Sequence, residues 1–134
     1  MTATESTSPK WMTRVGFALT ALPVLMLGMS GTMKLMVSAE VVRNFTGKFG
    51  FPASTLLPIG LLEIACAVIY LLPRTAVLGA VLITGYLGGA VVTHVRIGEY
   101  PGALAPAVLG AAAWGGLFLR DARIRALLPL RRSP

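Results

Sequence analysis

Of the 134 residues only five are acidic, and one of these, Glu63, stands in the middle of the apolar run FPASTLLPIGLLEIACAVIYLLP. A carboxylate at the centre of a bilayer costs about 2.5–3.5 kcal/mol on insertion scales, so such a group is neutral, paired or turned toward a bundle interior. The question is what Glu63 meets. Pro73-Arg74 forms the short turn into the next apolar run, and so short a connection makes the two helices antiparallel neighbours. Counting inward at about 1.5 Å per residue puts Glu63 level with Thr84, Gly85 and Tyr86. A Glu63–Tyr86 hydrogen bond would satisfy both polar groups, and two readings follow from it. One is a core pair with no further task. The other is a small cavity in which Glu63 takes or gives a proton or fixes a polar substrate group. Glu63, Tyr86 and His94 are therefore the catalytic candidates. Lys34, His94, Arg96 and Glu99 form a second group, expected to converge at the outer end around Glu99 or an anionic headgroup. A lone histidine at a helix end is more often a local hydrogen-bonding group than a ligand. With one His and one Cys, Cys66, the chain offers no dithiol, no intrachain disulfide and no zinc cluster. No metal is expected, and Cys66 reads as a small core residue.

The elements that carry these residues follow from composition. The chain is 55% hydrophobic with a mean hydropathy of +0.76, more apolar surface than a soluble domain of this length can bury. Four apolar runs, at about 14–34, 54–72, 75–94 and 102–119, have the length of membrane spans. They predict an all-α, polytopic four-helix bundle over residues 13–120, preceded by a polar, disordered lead at 1–12 and followed by a basic tail at 121–134. The first run is longer than the apolar core of a signal peptide, so it is read as a retained helix. Eight Lys and Arg residues lie on the side of the termini and the Pro73-Arg74 turn, and four on the other. The positive-inside rule then predicts that both termini are cytoplasmic, in an inner or plasma membrane. The net charge of +7 sits at the ends of apolar runs, where lipid headgroups lie, and not in an aromatic-laced stripe, which argues against nucleic acid and for membrane lipids as partners. Between Lys34 and Pro52, Val41, Val42, Phe45 and Phe49 are spaced for a short helix lying flat in the headgroup boundary. Gly85 and Gly89 give the third run a small-xxx-small face, expected to pack against a neighbouring helix of the same chain or of a second copy.

Arg14, Phe17 and the stretch Ser30-Gly31-Thr32-Met33-Lys34-Leu35, then Gly50-Phe51-Pro52, Glu63 and the run from Pro73 to Gly98, together resemble the DoxX-like family of small four-span membrane proteins. That resemblance implies a four-helix bundle with both termini inside. It also implies a loose link to redox chemistry, since a few members are associated with quinone oxidoreductases or oxidative-stress complexes. No cofactor is evident from the residues, but a quinone could bind non-covalently in an apolar slot, its carbonyl oxygens meeting Glu63, Tyr86 or His94. The leading expectation is a quinone- or small-molecule-binding subunit whose partner is a second copy of itself, in a homo-oligomer, or a membrane-associated redox or biosynthetic protein. The alternatives are a stand-alone membrane enzyme using Glu63 as acid or base, a small proton-coupled exporter, and a structural membrane subunit.

Overall fold

A computed structural model describes residues 8–128. The expectations for residues 1–7 and 129–134, which include Arg131 and Arg132, lie outside the described residues. The rest is helical: α1 (Lys10–Leu35), α2 (Ala39–Arg43), wide π-type turns over Asn44–Lys48, a single 3-10 turn over Ala53–Thr55, α3 (Leu56–Leu71), α4 (Ala76–Arg96), α5 (Tyr100–Arg120) and α6 (Ala122–Leu127). Four helical segments are long and apolar enough to cross a membrane: Lys10–Leu35, Ala53–Leu71, Ala76–Arg96 and Tyr100–Arg120. The first begins earlier than the apolar run does, because nothing interrupts helical geometry between Pro9, its N-cap, and the apolar residues. Among the described residues there is no strand. The chain is a polytopic four-helix membrane protein.

The spans pack as a ring, α1 against α3 and α5, and α4 against α3 and α5. Glycines set the closest approaches. A methyl group added to Gly31 would lie 2.8 Å from the Gly60 carbonyl oxygen, and one added to Gly60 2.9 Å from that of Gly31, so α1 and α3 touch backbone to backbone. Gly16 and Gly116 do the same for α1 and α5, at 3.0 and 2.9 Å. Gly79 lies under the Tyr70 backbone where α3 turns into α4. Without a hydrophobic drive between helices in lipid, such close packing is what holds spans together.

The expected packing of Gly85 and Gly89 against a helix of the same chain is corrected: neither would bring an added Cβ within 4 Å of any neighbour. The inward face of α4 is instead Ala76, Gly79, Ala80, Ile83 and Leu87. At 100° per residue, positions two beyond Ile83 and Leu87 point elsewhere.

The core fills the half of the bundle nearest the termini. Tyr70, Ala80, Ile83 and Ala113 are fully buried there, and the Tyr70 hydroxyl donates to the Ala113 carbonyl at 2.7 Å. At the edge of this half the Arg120 guanidinium lies over the rings of Tyr70 and Phe17, at 5.5 and 5.8 Å. The opposite half is looser and carries the α1–α3 connection. Ser38 caps α2 by accepting from the Val41 N–H at 3.3 Å, and the Phe45 and Phe51 rings stack at 5.0 Å between centroids. Here the flat amphipathic segment read from the sequence becomes a folded piece lying across the bundle end.

Candidate functional site

α1 presents Ser30 and Lys34 on one face, four residues apart, and the Gly31–Gly60 contact brings that face against α3 at the level of Glu63. Lys34 Nζ donates to Glu63 Oε2 at 3.0 Å and Oε1 at 3.2 Å, and to Ser30 Oγ at 2.7 Å. The Ser30 hydroxyl in turn donates to Glu63 Oε1 at 3.0 Å. From the other side of the bundle the Tyr86 hydroxyl donates to the same oxygen. The Lys34 and Glu63 side chains are only 14% and 3% exposed. Two opposite charges therefore meet within a membrane span, each neutralising the other and each supplied with further hydrogen bonds, as a buried pair requires.

The depth count made from the turn at Pro73-Arg74 holds for Tyr86. It did not reach Lys34 or Ser30. Lys34 was expected near Glu99, at headgroup level; its stem instead runs back along α1 so that the ammonium reaches Glu63. The recoverable signal was the Ser30–Lys34 spacing around Gly31, a small residue that permits close approach beside two groups able to donate.

Glu99 is met by a different lysine. Lys48 donates to Glu99 Oε1 at 2.6 Å, and His94 Nδ1 lies 2.8 Å from Glu99 Oε2. The hydrogen bond from Lys48, then that from His94, holds the Glu99 carboxyl below the usual carboxylate range. Arg96 donates to the Phe49 carbonyl, and the His94 ring meets the Phe49 ring edge-on at 5.1 Å. Of the four residues expected to converge, His94 and Glu99 touch, Arg96 fastens the neighbouring loop, and Lys34 belongs to the other cluster.

Between the two clusters lies a cavity of about 580 Å³. Every span contributes to its wall; Ser30, Lys34, Glu63 and Tyr86 form its polar patch, and His94, Phe45, Phe49 and Phe51 line its end nearest the α1–α3 connection. This size is within the range of small-molecule sites, and the make-up, mostly apolar with a few convergent polar groups, is theirs too. Gly85 and Gly89 also border it, so the glycines assigned to helix packing lie beside the cavity. Such a site can hold an uncharged oxygen-bearing group against the ion pair and an apolar body against the remaining wall. Among the described residues no group of three or more His, Cys, Asp or Glu side chains is gathered as metal ligands are, and Cys66 is buried away from solvent.

No curated protein matches the chain. No solved structure does either. The model of the DoxX-like family matches residues 18–116, a stretch that begins within α1, ends within α5, and contains Ser30, Lys34, Glu63, Tyr86, His94 and Glu99. The chain belongs to the DoxX-like family.

Proposed function

We propose that the protein is a small-molecule-binding subunit of an inner or plasma membrane, serving a redox or biosynthetic partner, and that its ligand is a largely apolar molecule with an oxygen-bearing group seated on Lys34, Glu63 and Tyr86. A quinone, in its oxidised or reduced form, is one member of that class. The observation that carries this reading is the convergence of a neutralised ion pair, a serine and a tyrosine on one wall of a cavity of about 580 Å³. A bundle needing only stability has little use for this arrangement. Apolar side chains would fill the same space, and replacing a buried ion pair by apolar residues is often neutral or stabilising.

Titration calorimetry with a short-tailed hydroquinone and the matching quinone, on protein in mild detergent, tests it. Wild type is expected to bind at least one of the two. Tyr86→Phe is expected to weaken binding about tenfold, the worth of one well-placed hydrogen bond, and the double variant Lys34→Met/Glu63→Leu to abolish it. Equal binding by all three proteins, or none by wild type, contradicts the reading.

A further inference from the structure

Two properties of the cavity narrow the ligand further: which hydrogen-bonding capacity is unspent, and where the wall is open. Each N–H of the Lys34 ammonium has an acceptor, in Ser30 Oγ, Glu63 Oε1 and Glu63 Oε2. The Ser30 and Tyr86 hydroxyl hydrogens both go to Glu63 Oε1. What is left over is acceptor capacity, on Glu63 Oε2 and on the lone pairs of Tyr86 Oη. A carbonyl would add another acceptor to a site already short of donors, whereas a hydroxyl supplies the missing donor. A net charge on the ligand would find no countercharge, because Lys34 and Glu63 cancel.

The openings point toward lipid. The exposed residues of the cavity wall are Met26, Leu62, Gly85, Gly89 and Ala105, all apolar and all within the spans. At the end nearest the α1–α3 connection the wall is made by Phe45, Phe49 and Phe51, each partly buried. This cover is fastened to α4 by the Arg96 bond to the Phe49 carbonyl and to Glu99 by Lys48 at 2.6 Å. On the α3–α4 side, Gly85 and Gly89 leave a strip without side chains; a Cβ there would have nothing within 4 Å.

We propose, resting on the binding reading above, that the ligand is a single-tailed membrane lipid with an uncharged hydroxyl head, the head donating its one hydrogen to Glu63 Oε2 beside the Tyr86 hydroxyl and the tail passing between α3 and α4 along Gly85 and Gly89 into the hydrocarbon. The ligand enters sideways from the bilayer and never crosses the aromatic cover.

Photocapture in lipid nanodiscs tests this with palmityl alcohol bearing a diazirine in mid-tail, the butyl alcohol analogue, and the palmityl methyl ketone analogue. In wild type the long alcohol is expected to be captured on peptides containing Leu62 and Gly85–Gly89, and to be captured in preference to the ketone. Gly89→Leu should reduce capture of the long alcohol about tenfold, equivalent to 1.4 kcal/mol, and that of the short alcohol far less, with an unchanged melting temperature reporting an intact fold. Capture of the short alcohol that depends on Lys34 and Glu63, with long-alcohol capture indifferent to Gly89→Leu or mapped to the Phe45–Phe51 cover, overturns the tail path while sparing the binding reading. A ketone captured as well as the alcohol overturns the hydroxyl assignment. No capture that depends on Lys34 and Glu63, by any probe, removes the binding reading and this proposal together.

Discussion

Glu63 and Lys34 each make the other tolerable in the membrane, so removing one alone exposes the cost of the survivor. Glu63→Leu is expected to destabilise by about 3–5 kcal/mol, the usual effect of stranding one member of a buried pair, while Lys34→Met/Glu63→Leu should recover most of the wild-type thermal midpoint in detergent. Strictly additive losses in that cycle would mean the charges do not interact. Lys34→Met/Glu63→Gln addresses acid–base chemistry. The amide oxygen still accepts from Ser30 and Tyr86 but the second acceptor becomes an N–H donor and the group cannot release a proton, so binding of an acceptor ligand persists while that of a hydroxyl donor weakens if Glu63 acts by hydrogen bonding, and turnover of any later-identified substrate is lost if it acts as an acid or base. The Glu63–Tyr86 pair was legible in the sequence because a short turn fixes the relative depth of two adjacent helices. The Lys34 partner was not, since a lysine at a span boundary ordinarily extends toward water, and only the unforeseen Gly31–Gly60 contact draws α1 close enough for it to reach inward.

At the level of elements, the glycines divide into those that hold helices together and those that leave space. Gly60→Leu should prevent recovery of folded protein, because the added side chain meets the α1 backbone, whereas Gly85→Leu should keep the wild-type melting temperature. Size-exclusion chromatography with thermal unfolding reads both, and a severe loss in Gly85→Leu would mean that a second copy covers that strip. Sequence spacing alone could not make this division. The GxxxG pattern identifies a face that permits close approach, but the inward face of α4 is chosen by Ala80, Ile83 and Leu87, which bury more apolar surface. The turn after α1 holds Val37 at φ 48°, a region that costs a β-branched residue about 1–2 kcal/mol, so Val37→Gly should raise the melting temperature. The aromatic cover should respond to acid. The Glu99 carboxyl is held below the usual carboxylate range, so its contribution is complete above that range and is lost as pH falls through the lowered value. With Cys66→Ser as background, a cysteine replacing Phe45 should be labelled by an aqueous thiol reagent faster at acid pH than at neutral pH once each rate is divided by that of a free thiol at the same pH, since the thiolate is the reacting form. Equal normalised rates would show that Lys48 and His94 do not fasten the cover through Glu99.

For the whole molecule, four apolar runs made the number of spans and their sequential antiparallel order legible, the short Pro73-Arg74 turn fixing α3 beside α4. What the runs could not show was the ring of contacts, which depends on Gly16, Gly31, Gly60, Gly79 and Gly116 lying opposite backbone. The charge asymmetry supports a proposed orientation with the termini in the cytoplasm. Cysteines replacing Ser38 and Ala126, in the Cys66→Ser background, should differ in intact cells, with the Ser38 position labelled by an impermeant reagent and the Ala126 position protected; the reverse pattern would invert the topology. This orientation would put the aromatic cover at the outer surface and the polar patch beneath it within the membrane. The central claim is that the Lys34–Glu63–Tyr86 cavity holds a ligand, and native mass spectrometry of protein taken from its own membrane in mild detergent tests it most directly. Wild type should retain one apolar, oxygen-bearing molecule that the folded Lys34→Met/Glu63→Leu protein lacks, and an identical complement of retained molecules in the two proteins would contradict the account.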